Sequence, residues 1–114
     1  MKFDTIVLAA SAQYFPSLKE MLNIFLKRLN KKGELHILDT PFYQTSEMGK
    51  AIQRTKNYFV AIGFPEMAEY YFHHLRNELN SFSFKELYSP GGLKNKLTGN
   101  RNPFPWFCIK KQMA

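Results

Sequence analysis

The chain has 114 residues, 45% of them hydrophobic and 16% aromatic, and its sixteen Lys and Arg outnumber nine Asp and Glu for a net charge of +7. That length fits a single domain, 1–114, and the apolar and aromatic content excludes a disordered chain. The single cysteine, Cys108, excludes an internal disulfide and a multi-cysteine zinc centre.

A reducing, cytoplasmic setting fits that cysteine usage. Met1-Lys2 leads directly into Phe3-Asp4 without the apolar core of a signal peptide, and no apolar run reaches the length of a membrane span. The positive charge admits nucleic acid, an anionic membrane surface or an acidic ligand without choosing among them. Much of it falls at Lys27, Arg28, Lys31 and Lys32, where basic residues complement the negative end of a helix.

In chain order, residues 2–10 read as a strand buried on both faces, because Ile6, Val7, Leu8, Ala9 and Ala10 are continuous rather than alternating. Leu18, Met21, Leu22, Phe25, Leu26 and Leu29 then recur at helical spacing behind a capping box of Ser17 and Glu20, with Gly33 as the expected terminator. Residues 34–39, "ELHILD", form a second strand, so the unit predicts a right-handed parallel crossover and an α/β class. A helix is expected over 46–62, with Ile52, Thr55, Phe59 and Ile62 on one face and Gly63 as its stop.

Pro65 suits the first turn of a third helix, running to about Asn80 with Ala68, Tyr71, Phe72, Leu75 and Leu79 as its buried stripe. Residues 82–88 and 105–111 read as two strands, paired antiparallel as the last elements of a mixed sheet. A loop, 89–104, separates them. It carries Lys94, Lys96 and Arg101 near Phe104 and Trp106, a combination able to hold phosphate and stack on bases, although no recognised nucleic-acid motif accompanies it.

The order of these elements, with "FDTIVLAASAQYFPSL" leading, "KKGELHILDTPFY" next and "PFPWFCIKK" closing, resembles the C-terminal half of a class I S-adenosylmethionine-dependent methyltransferase. The resemblance implies a Rossmann-like mixed sheet of about four strands with an antiparallel terminal pair and about three helices. It also implies a transferase activity with S-adenosylmethionine as cofactor. Ala10, Ser11, Ala12, Gln13 and Tyr14 would lie beside the cofactor, and Tyr14, Phe15, Asp39, Phe42 and Tyr43 beside the methyl acceptor, at the carboxyl ends of the two leading strands.

The family's glycine-rich turn and ribose-holding acid have no counterpart in this sequence, since Gly91-Gly92 comes after no Rossmann strand. Weak or no cofactor binding by this chain alone is therefore expected, and a non-catalytic dimerising or regulatory α/β module derived from the same fold is the alternative. As a half-fold, the chain would leave one edge of residues 2–10 unpartnered, which predicts a homodimer through that edge.

Among single residues, Asp39 suits either a base or a loop cap. His73 and His74 are adjacent and would point about 100° apart on a helix, so no metal centre is expected there or with distant His36. Cys108 reads as a buried, inert thiol with no histidine beside it.

Overall fold

The structure, a computed structural model, describes residues 1–90, 97 and 103–111. In chain order its regular elements are strand β1 (Phe3–Ala9), helix α1 (Leu18–Lys27), strand β2 (Leu29–Leu38), strand β3 (Phe42–Tyr43), helix α2 (Met48–Ala61), and strands β4 (His74–Leu75), β5 (Ser83–Tyr88) and β6 (Trp106–Lys110). Short 3-10 turns occupy Ala12–Tyr14, Thr45–Glu47, Pro65–Tyr70 and Arg76–Ser81. The class is mixed α/β, as the patterning predicts.

The main sheet runs β1-β2-β6-β5, with β1 and β2 parallel and β6 antiparallel to both of its neighbours. The expected antiparallel terminal pair is present, and β6 lies between β2 and β5. Two rows of side chains cross the sheet on one face: Ile6, Leu35, Ile109 and Phe84, then Leu8, Ile37 and Phe107. Against this face α1 lays Leu18, Met21 and Leu22, and Leu79 joins the same core. Each large apolar side chain buried in this way contributes about 1.5–3 kcal/mol.

The opposite face carries the row Val7, His36, Cys108 and Lys85. This corrects the expectation that residues 2–10 are buried on both faces, for Val7 is 54% exposed and Phe3 44%. An unbroken apolar run marks a doubly covered strand only where helices lie on both sides of the sheet, and here α1 covers one. The outer edge of β1 has no strand partner among the described residues.

Two element boundaries also differ from expectation. Helix α1 begins where Ser17 predicts, its hydroxyl accepting the Glu20 amide, but it stops at Lys27 rather than near Gly33. The Phe3 amide donates to the Arg28 carbonyl at 2.7 Å, and Leu29 pairs with Phe3, so strand pairing replaces the last turn of helix. Leu29 is buried in either arrangement, and periodicity therefore could not separate them. Gly33 lies inside β2, where the register slips between the Phe3 and Thr5 pairings.

The expected helix over 65–80 is a 3-10 turn, strand β4 and a second 3-10 turn. The Phe72 amide donates to the Gln13 carbonyl at 2.7 Å, and His74 and Leu75 pair in parallel with Phe42 and Tyr43. A run of Tyr70, Tyr71, Phe72, His73 and His74 has poor helix propensity, and these tertiary bonds take its backbone instead. Helix α2 does end at Gly63, whose φ of +85° is the left-handed conformation glycine supplies.

A β-carbon at Gly33 would meet the Asp4 carbonyl at 3.0 Å, the Asn30 carbonyl at 3.1 Å and Leu29 Cδ2 at 3.1 Å. Two of these three are backbone atoms that cannot turn aside. Gly33→Ala is expected to lower the unfolding free energy by about 1–3 kcal/mol, read from urea denaturation, and an unchanged midpoint would contradict this packing.

Candidate functional site at the carboxyl ends of the parallel strands

Strands β1 and β2 both end in a non-glycine residue with left-handed backbone, Ala10 at φ +53° and Asp39 at φ +55°. Such residues are costly and concentrate where the surrounding structure forces a sharp exit. Behind them the two turns are stitched together by one amide. Gln13 Nε2 donates to the Ala10 carbonyl at 3.1 Å, and its Oε1 accepts from the buried Thr40 hydroxyl at 2.8 Å. His74 Nε2 donates to the Ala12 carbonyl at 2.8 Å, which places the neutral ring's proton on that nitrogen.

Of the residues expected beside the cofactor, Ala12 and Gln13 are thus buried in this scaffold, Ser11 is half-buried, and Ala10 and Tyr14 are exposed. Of those expected beside the acceptor, Phe15 packs edge-on against Phe25 and Phe42 against Phe107, at ring separations of 5.9 and 5.0 Å. Asp39 is exposed, and the described bonds tying its loop come from Thr40 and Gln13. Tyr14 and Tyr43 alone are brought together, on the wall of one cavity.

That cavity has a volume of about 450 Å³ and is lined by Tyr14, Tyr43, Tyr71, Arg54, Tyr58 and Phe59, with Ala51 and Thr55 at its base. Tyr14 and Tyr71 meet edge-to-face at 6.1 Å, and His73 packs behind, 5.1 Å from Tyr71 and 5.4 Å from Tyr43. Thr55 donates to the Ala51 carbonyl and so receives the Nε2 proton of His73 at 2.8 Å. Burial holds the His73 pKa below the ordinary value, the Ala51 carbonyl opposing, so the ring stays neutral as the local donor. Burial and the neighbouring Tyr43 push the Tyr71 phenol up to about 12.

Sequence reasoning finds Tyr14 and Tyr43 but not Arg54, Tyr58 or Tyr71. The helical spacing of residues 65–80 puts Tyr71 on a buried stripe, and only the parallel pairing of β3 with β4 turns it toward the rim. No family model, curated protein or solved structure matches the chain.

A second cluster lies on the sheet face opposite α1. Cys108 stands directly opposite His36, correcting the expectation of a thiol without a histidine neighbour, because strand register is not legible in sequence. Its Sγ donates to Glu34 Oε2 at 3.2 Å, and ligand-type atoms of Glu34, His36 and Cys108 lie within 4.8 Å of one another. The Trp106 indole donates to His36 Nδ1 at 2.9 Å, leaving the proton of the neutral ring on Nε2, and Lys110 Nζ sits 3.7 Å from Glu34. The arrangement is a hydrogen-bond network that brings a carboxylate, an imidazole and a thiol together, whereas His73 and His74 belong to other contacts. The lysines and arginine of the basic loop, Lys94, Lys96 and Arg101, lie outside the described residues.

Burial and the hydrogen bond to Glu34 push the Cys108 thiol to about 11, from an ordinary 9.0. Tyr71 likewise rises from 10.0 to about 12. Each group keeps its proton in the folded state after the unfolded chain has lost it, so stability is full below pH 9 and falls as pH rises from there toward about 12. Cys108→Ser should flatten the lower part of that decline and Tyr71→Phe the upper. A urea midpoint constant across the window would contradict both assignments.

Relieving the backbone at Ala10 is a separate test. Ala10→Gly is expected to stabilise the fold by about 1 kcal/mol, because glycine adopts positive φ without the steric penalty. A loss of stability in thermal unfolding would show that the Ala10 methyl is needed in packing.

Proposed function

We propose that these 114 residues are the acceptor-binding, C-terminal half of a class I S-adenosylmethionine-dependent methyltransferase. The observation that supports this reading is the junction of a parallel β1-β2 pair with antiparallel β6 and β5, whose two leading turns open on the tyrosine-lined cavity. Open α/β sheets bind their ligands at that rim. Methyl transfer is a displacement at carbon in which positioning and desolvation of the acceptor supply much of the catalysis, and a walled aromatic cavity provides both.

The residues fit the cofactor only in part. Ala10, Ser11 and Tyr14 remain accessible at the turn beside which its methionine end would lie, whereas Ala12 and Gln13 are committed to the scaffold. With no glycine-rich turn or ribose-holding acid in the chain, these residues do not by themselves hold the whole cofactor. A reducing, cytoplasmic setting is part of the same reading, resting on the single thiol Cys108. Among the described residues no helix is long and apolar enough to cross a membrane.

The exposed edge of β1 favours a second reading that is compatible with the first, a dimerising module. Met1, Phe3, Thr5, Ile6, Phe25 and Arg28 frame an apolar hollow of about 400 Å³ beside that edge. Pairing of two copies through β1 covers the hollow and satisfies the free backbone groups.

Titration with S-adenosylhomocysteine, monitored by backbone NMR and light scattering, tests both readings. Weak shifts confined to residues 10–14 are expected, without tight binding. Shifts confined to other residues would remove the methyltransferase reading, a protein that ignores millimolar ligand would favour the non-catalytic module derived from that fold, and tight one-to-one binding would overturn the incomplete-site account. A particle of twice the 13.4 kDa chain mass, reduced to one chain by Val7→Lys, is expected for the dimer. A monomeric parent protein would reject it.

A further inference from the structure

We infer that the tyrosine-lined cavity takes a small aromatic carboxylate, its ring among Tyr14, Tyr58 and Tyr71 and its carboxylate bridging Arg54 and the Tyr43 hydroxyl. This rests on the reading of that rim as an acceptor site and specifies what the site accepts. The volume of about 450 Å³ suits one small molecule. Four of the eight lining residues are tyrosines and a fifth is Phe59, so the walls offer ring faces and edges at low conformational cost. Tyr14 and Tyr58 leave 58% and 60% of their surface in water, an exposure a bound ring would remove.

Charge selects among aromatic ligands. Among the described residues that line the cavity, Arg54 alone is charged, and the Glu47 carboxylate, which also acts on Tyr43, lies outside that lining. An aromatic cage without such a residue would suit an ammonium group, but the fixed guanidinium charge repels one and attracts an anion. The remaining polar groups are arranged as donors. Burial raises the pKa of both Tyr43 and Tyr71, so both phenols keep their protons. The Tyr43 and Tyr71 phenols both stand on the cavity wall, and the Tyr43 hydroxyl is a donor that a ligand carboxylate can use. Arg54 lines the same cavity as Tyr43, and its charge acts on Tyr43 and on His73. Thr55 and His73 satisfy one another, and a carboxylate is the ligand group that accepts from both remaining donors at once.

The test compares three probes of similar shape by calorimetric titration of the whole chain: para-hydroxybenzoate, para-hydroxybenzyl alcohol and tyramine. Para-hydroxybenzoate is expected to bind about tenfold more tightly than the neutral alcohol, the effect of one charge-assisted contact, and tyramine least. Arg54→Gln, at an exposed position, should erase the preference for the acid without changing thermal unfolding, and Tyr43→Phe should weaken acid binding several-fold. Equal affinity for acid and alcohol, tighter binding of tyramine, or an Arg54→Gln protein that keeps the preference would overturn the inference. Acid binding that depends on Arg54, in a protein whose residues 10–14 ignore S-adenosylhomocysteine, would uphold it while favouring the non-catalytic module over the methyltransferase reading. The reverse pattern would remove the inference alone.

Discussion

The parallel pairing of β1 with β2 is the interaction on which the remaining structure depends. It begins unusually early, with Phe3 opposite Leu29, and so ends α1 a turn before the apolar pattern does. It draws the Asp4 carbonyl against Gly33, where no side chain fits between them. It also brings the two strand ends level, so that Ala10 and Asp39 turn outward at the same height and the segments after them become neighbours.

Those two exits impose a division of labour at the rim. Buried polar groups need partners, and Gln13, Thr40 and His74 find theirs in one another and in the carbonyls of Ala10 and Ala12. That network is scaffold: it holds the turns rigid and leaves little for a ligand to contact. The accessible chemistry lies one layer out, where α2 and the segment before β4 close around Tyr14 and Tyr43. A rigid base under an accessible aromatic wall is the arrangement expected of a site that must position a ligand accurately.

The sheet's two faces have unequal cover. One packs on α1 through Phe107, Ile37 and Leu35. The other presents Val7 and the linked side chains of Glu34, His36, Cys108 and Trp106. The apolar run at 6–10 therefore says that its residues are compatible with burial on both sides, while among the described residues α1 supplies a layer on one. The outer backbone groups of β1, without a strand partner among the described residues, are of the kind that other strands can pair with.

Local chemistry determined much of this protein in advance. Ser17 and Glu20 set the start of α1, Gly63 closes α2, and the apolar runs name β1, β2, β5 and β6 and the mixed class of the sheet. Two residues of the candidate cavity, Tyr14 and Tyr43, were legible because they come just after strands whose carboxyl ends form a rim. Register and long-range pairing were not legible, because periodicity records which residues seek burial and not which backbone satisfies them. Only the tertiary structure ended α1 at Lys27, turned residues 65–81 from a helix into turns around a short strand, and set Cys108 opposite His36. The same long-range bonds, from Phe72 to Gln13 and from β3 to β4, carried Tyr71 to the rim, where it meets Arg54 from α2.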